Sequence, residues 1–110
     1  MAELIISPSA YADMEEIGDY ISGSLHNPAA AQQMIRRFRD AILPLREFPG
    51  MGSQLQAEGN ERASYRFLVC GSYLIFYHVT ADVVCVDRVL YGRRNYTALL
   101  FGDRLEDEDE

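Results

Sequence analysis

With 110 residues, 48% of them hydrophobic, the chain has apolar surface for one two-layer core and too little for two domains. Its formal charge of −7 disfavours unspecific nucleic-acid binding, yet the acids are uneven: "DRLEDEDE" from Asp103 carries six acids and one arginine, whereas residues 1–102 hold eleven acids and nine arginines. No run approaches the ~20 apolar residues that cross a bilayer, and "MAELIIS" lacks the basic start, long apolar segment and cleavage site of a secretory leader, so a cytoplasmic address is expected.

"ELIIS" (3–7) predicts a short first strand. Ser7-Pro8 then supplies a helix cap and a proline at the first helical position, where its missing N–H costs nothing. Over 8–24, Ala10, Met14, Ile17 and Ile21 recur at spacings of four and three, while Asp13, Glu15, Glu16 and Asp19 occupy much of the rest; this predicts one buried stripe on an acidic helix. "GSLHNP" breaks the pattern, and Asn27-Pro28 repeats the start signal. Ala31, Met34, Ile35, Phe38, Ala41, Ile42 and Leu45 then mark the apolar face of a longer helix, which Pro44 should kink or end. The short loop between the helices implies an antiparallel hairpin.

"FPGMG" (48–52) is a cluster of turn formers, and the polar stretch 53–62 reads as a loop. Three β-prone runs follow, "SYRFLV" (64–69), "YLIFYHV" (73–79) and "VVCVDRVLY" (83–91), separated by stretches short enough for hairpin turns; an antiparallel meander is predicted. Strict alternation in the last run puts Val84, Val86 and Leu90 on a face with Arg88, and Val83, Cys85 and Val89 on the other with Asp87 and Tyr91. A charge in such a run needs a partner or solvent, so Arg66 and Arg88 are expected to pair with Asp87 or a helix carboxylate such as Glu16. "TALLFGD" is a short apolar return, and 103–110 is too acidic to fold alone. The expectation is one α+β domain over 1–102, β-α-α-β-β-β, a helical hairpin on a mainly antiparallel four-stranded sheet, followed by an acidic, disordered tail.

Cys70 and Cys85 show no CxxC or Cys/His metal spacing, so neither a metal nor another cofactor is expected. His26 and His78 stand apart from any nucleophile in sequence, and no nucleophile-elbow pattern is present. The strand-ending "VLYGRRNY" is the notable polar feature. Its Arg93 and Arg94 can solvate a strand end or recognise a carboxylate or phosphate through a planar fork of donors.

In this element order, "YRFLVCGSYLIFYHV" followed by "DRVLYGRRNY" resembles the RelE/ParE superfamily of toxins from type II toxin-antitoxin systems, over about residues 2–101 and closer to the ParE branch. The resemblance implies a small cytoplasmic toxin neutralised by a cognate antitoxin, with which it can form a hetero-oligomer. RelE-like members cut mRNA on the ribosome, and ParE-like members act on DNA gyrase. RNA cleavage needs a base or its equivalent and cations on the phosphate. Where RelE-like toxins carry an arginine after the glycine turn, this chain has Leu74; Arg94 matches their second arginine, and Tyr96 is too early to match their tyrosine. Tyr91 stands where ParE-like members commonly have His, and a phenol with a reference pKa of about 10 is a poor base at neutral pH. The resemblance therefore favours a gyrase-binding toxin without bond-making chemistry. A RelE-like endoribonuclease and a non-toxic binding module of the same fold are the alternatives. The target- or antitoxin-binding candidates are Arg94, Arg93, Tyr91, Tyr96, Arg66 and Arg88; no catalytic residue is assigned.

Overall fold

The structure, a computed structural model, describes residues 1–55 and 65–92. In chain order its elements are β1 (Glu3–Ile6), α1 (Pro8–Asp19), α2 (Pro28–Ile42), β2 (Ser53–Gln54), β3 (Tyr65–Cys70), β4 (Tyr73–Thr80) and β5 (Val83–Tyr91). One sheet takes all the strands in the order β1-β5-β4-β3-β2. β1 runs parallel to β5, and the other neighbours are antiparallel.

Both helices begin at their predicted caps. The Ser7 hydroxyl oxygen accepts from the Ala10 amide at 3.0 Å, and the Asn27 side-chain oxygen accepts from the Ala30 amide at 3.1 Å. α1 ends at Asp19, earlier than its apolar stripe; Tyr20–Ser24 widens into a π-helical turn that still brings Ile21 to the core. α2 stops at Ile42, and Pro44 lies in a tight turn, Leu43–Arg46, consistent with a residue that cannot donate the helical hydrogen bond.

The main core lies between the helices and one face of the sheet. Ala10, Met34, Phe38, Ile42 and Leu45 meet Ile75, Tyr77, Val84, Val86 and Val89 there. A smaller cluster on the opposite face joins Phe76 and Leu90 to Leu55, flanked by Tyr65, Phe67 and Leu74.

Two further features depart from the sequence reading. Ser53–Gln54, expected as loop, pairs with Phe67 and Arg66 and makes the sheet five-stranded. A two-residue polar strand has no periodicity to detect; it forms because the turn before it is strapped to the sheet. The Tyr77 hydroxyl donates to the Pro49 carbonyl at 2.7 Å and accepts from the Gly52 amide at 2.9 Å. The second departure is a bulge. Tyr77 opposes Val86 while Phe76 opposes Arg88, so Asp87 has no cross-strand partner. The extra residue reverses the alternation beyond it: Val89, not Leu90, joins Val84 and Val86 on the helix side. Ser7 holds the bulge in place, its amide donating to the Val86 carbonyl and its hydroxyl to the Asp87 carbonyl, each at 3.0 Å.

Candidate functional site

β1 covers β5 only from Val83 to Val86, so α1 lies beside β5 beyond the bulge. Asp13 occupies that junction at 7% exposure. Its carboxylate accepts from Arg88 at two points, Nε to Oδ2 at 2.7 Å and Nη2 to Oδ1 at 2.8 Å, and from the Val89 amide at 2.9 Å. The carboxylate thus replaces the missing β1 strand as acceptor for a buried N–H and supplies the counter-charge for the guanidinium. Those hydrogen bonds raise the Arg88 pKa against the opposing effect of burial, with the charges of Asp13 and then Glu16 adding to the rise.

The helix carboxylate expected for Arg88 is thus present, and it is Asp13, with Glu16 contributing only through its charge. The sequence reading counts Asp13 among the acids off the stripe, yet it lies three residues after Ala10 and four before Ile17, on the apolar stripe itself. An acid on a buried stripe and an arginine in a buried strand are complementary signals, and together they could have identified the pair.

Above this pair a cleft of about 580 Å³ opens between α1 and the end of β5, lined by Glu16, Ile17, Tyr20, Tyr73 and Tyr91 among others. Tyr73 stands edge-on to Phe38 at 5.7 Å between ring centres and to Tyr91 at 5.9 Å. Burial pushes its phenol pKa up, and the neighbouring Tyr20 and Tyr91 phenols push it further, so it is a neutral hydrogen-bonding group at neutral pH. Tyr91 is 43% exposed. The residue after it, Gly92, donates its amide to the Ser72 carbonyl at 2.9 Å, extending the β4–β5 pairing up to the residue before Arg93.

The other candidates separate clearly. Arg66 donates Nη1 to the carbonyls of Gly52 at 2.9 Å and Gly50 at 3.4 Å, so it binds the turn rather than the expected carboxylate. Leu74 pairs across the sheet with Leu90 and packs in the smaller apolar cluster. Arg93, Arg94 and Tyr96, together with the "TALLFGD" stretch and the tail, lie outside the described residues. Of the six candidates, Tyr91 lines the cleft while Arg66 and Arg88 are engaged within the fold. Among the described residues, no helix is long and apolar enough to cross a membrane.

Two helices packed on a five-stranded mixed sheet form a fold shared with solved structures of toxin-antitoxin proteins. The chain superposes on a structure described as the chromosomal ParDE TA system from P. aeruginosa with a TM-score of 0.69, at 19% identity over 83% of this chain and 96% of that one. It also matches the E. coli DinJ-YafQ complex, with a TM-score of 0.57 and 14% identity over 93% of this chain and 100% of that chain. At such identities these likenesses speak for the fold. Sequence goes further: residues 4–96 match the model of the ParE toxin of the type II toxin-antitoxin system parDE. Toxin ParE1 of Caulobacter vibrioides is 35% identical over 95 residues, 86% of this chain and 94% of that protein. The chain belongs to the ParE toxin family of type II toxin-antitoxin systems.

Proposed function

We propose that the chain arrests growth by binding DNA gyrase in the cytoplasm and is neutralised by a cognate antitoxin that covers the same end of the sheet. The observation that carries this reading is the way the cations are held. Arg88 is held by Asp13 and Arg66 by turn carbonyls, while Leu74 packs in an apolar cluster. What the described part of the cleft offers a partner is Tyr20, Tyr73 and Tyr91, amphipathic rings suited to recognition and poor as bases. Arg93 and Arg94 follow directly in the chain after Gly92 and are proposed to extend this surface, with Tyr96, as charge-assisted donors. Family membership and the ParDE and DinJ-YafQ assemblies among the structural matches support an antitoxin partner.

The test pairs two assays on the purified protein. Inhibition of gyrase supercoiling, relieved by the antitoxin encoded in the adjacent reading frame and accompanied by intact mRNA, is the expected result. Ribosome-dependent mRNA cleavage with supercoiling unaffected would overturn the proposal in favour of a RelE-like activity. Absence of growth arrest on expression without the antitoxin would leave a non-toxic binding module.

A further inference from the structure

We propose that His78, Cys85 and Asp87 form a transition-metal site on the sheet face opposite the helices, suited to a borderline-soft divalent ion such as Zn²⁺. His78 and Cys85 are directly opposed on β4 and β5, and Asp87 is the bulge residue two positions after Cys85. Along β4, Tyr73, Ile75, Tyr77 and Val79 belong to the helix-side core, so His78 falls on the other face with Leu74 and Phe76.

The Asp87 carboxylate lies between the other two groups. Its Oδ2 is 2.7 Å from His78 Nδ1, and its Oδ1 is 3.7 Å from Cys85 Sγ. One donor atom from each of the three residues lies within 4.8 Å of the others. Tetrahedral coordination with bonds of about 2.0–2.3 Å requires donor atoms about 3.3–3.8 Å apart, so small side-chain rotations suffice. An imidazole nitrogen, a thiolate and a carboxylate are the donor types that zinc takes, and the two anionic ligands balance its charge. On binding, the thiol proton leaves to solvent as the sulfur–metal bond forms, and the imidazole proton shared by His78 Nδ1 with Asp87 moves to Nε2, freeing Nδ1 to ligate.

The surroundings suit such a site. The side chains of His78 and Asp87 are 27% and 22% exposed, which leaves an entry route and room for a fourth ligand from water. The Asp87 backbone is held by the Ser7 hydroxyl, and the Tyr65 ring lies 5.1 Å from the His78 ring, restricting its orientation. The spacing escaped the sequence reading because a β-hairpin and a bulge, rather than a CxxC loop, bring the donors together. An ion here would clamp the β4–β5 pair immediately before Arg88, a role independent of gyrase binding.

Cobalt(II) added to the purified full-length protein tests the site. The expected result is a near-ultraviolet thiolate-to-cobalt charge-transfer band that is lost in Cys85→Ser and His78→Gln and kept in Cys70→Ser, with circular dichroism confirming each fold. On the unaltered chain, Zn²⁺ should slow alkylation of Cys85, mapped by mass spectrometry. A wild-type protein without the band, a band that survives Cys85→Ser, or Cys85 alkylation indifferent to Zn²⁺ would each overturn the proposal.

Discussion

Asp13 and Arg88, 75 residues apart in the chain, meet in a two-point ion pair of 2.7 and 2.8 Å that ties α1 to the half of β5 that β1 does not cover. Removing one member should cost far more than the pair contributes over an apolar replacement. Asp13→Ala leaves a partly buried guanidinium and the Val89 amide without their acceptor, and should lower unfolding free energy by about 3 kcal/mol in urea denaturation. Asp13→Leu with Arg88→Met should recover the part due to the unpaired guanidinium and keep the part due to the Val89 amide, which still lacks an acceptor. A loss below about 1 kcal/mol for Asp13→Ala would indicate that water replaces the carboxylate.

The turn before β2 depends on Tyr77. Tyr77→Phe removes the acceptor of the Gly52 amide and the donor to Pro49, and should cost about 1–3 kcal/mol. Gly52→Ala should be worse, because its Cβ would lie 2.6 Å from the Phe67 carbonyl oxygen and 2.8 Å from the Tyr77 hydroxyl. In either variant the Leu55 amide, which donates to Tyr65 at 2.8 Å, should exchange with solvent faster, as hydrogen-exchange NMR would detect.

Stability should fall on the alkaline side. Burial raises Tyr77 and Tyr73 above 10.0, and burial raises the Cys70 thiol above 9.0. The unfolded chain therefore releases these protons first, so their contribution is complete below those ordinary values and is lost as pH rises through the folded ones. Denaturation midpoints should be insensitive to these groups near neutrality and should drop from about pH 9 upward. Tyr77→Phe should flatten part of that decline, although its neutral-pH stability is lower.

The proposed recognition edge separates surface from framework. Arg94→Ala should weaken growth inhibition and gyrase binding while changing stability by no more than about 0.5 kcal/mol, and Tyr91→Ala should weaken both and cost about 0.5–1.5 kcal/mol through its lost edge contact with Tyr73. Arg66→Ala and Arg88→Ala should weaken inhibition together with thermal stability, because both side chains hold the fold. Equal melting temperatures for all four variants would contradict this division.

Much of the architecture was legible because its signals are local. Ser7-Pro8 and Asn27-Pro28 start helices where caps and prolines do so on steric grounds, and the turns after Cys70 and Thr80 connect paired strands as their lengths imply. The site was only partly legible. Tyr91 lines the cleft, and Arg88 pairs with a helix carboxylate as a charge within a strand should, with Asp13 in place of Glu16, whereas Arg66 binds turn carbonyls and no expected carboxylate.

By itself the sequence determined the order of the elements other than β2, the helix starts, the hairpins and the family resemblance, all written in neighbouring residues and their periodicity. Tertiary structure decided which charges are available. The unpaired Asp87 breaks the two-residue alternation of β5, and β1 ends at Ile6, so β5 needs an acceptor that Asp13 supplies from a distant helix. A period read along one strand cannot register an insertion relative to its neighbour, and a one-residue bulge reassigns every side chain beyond it.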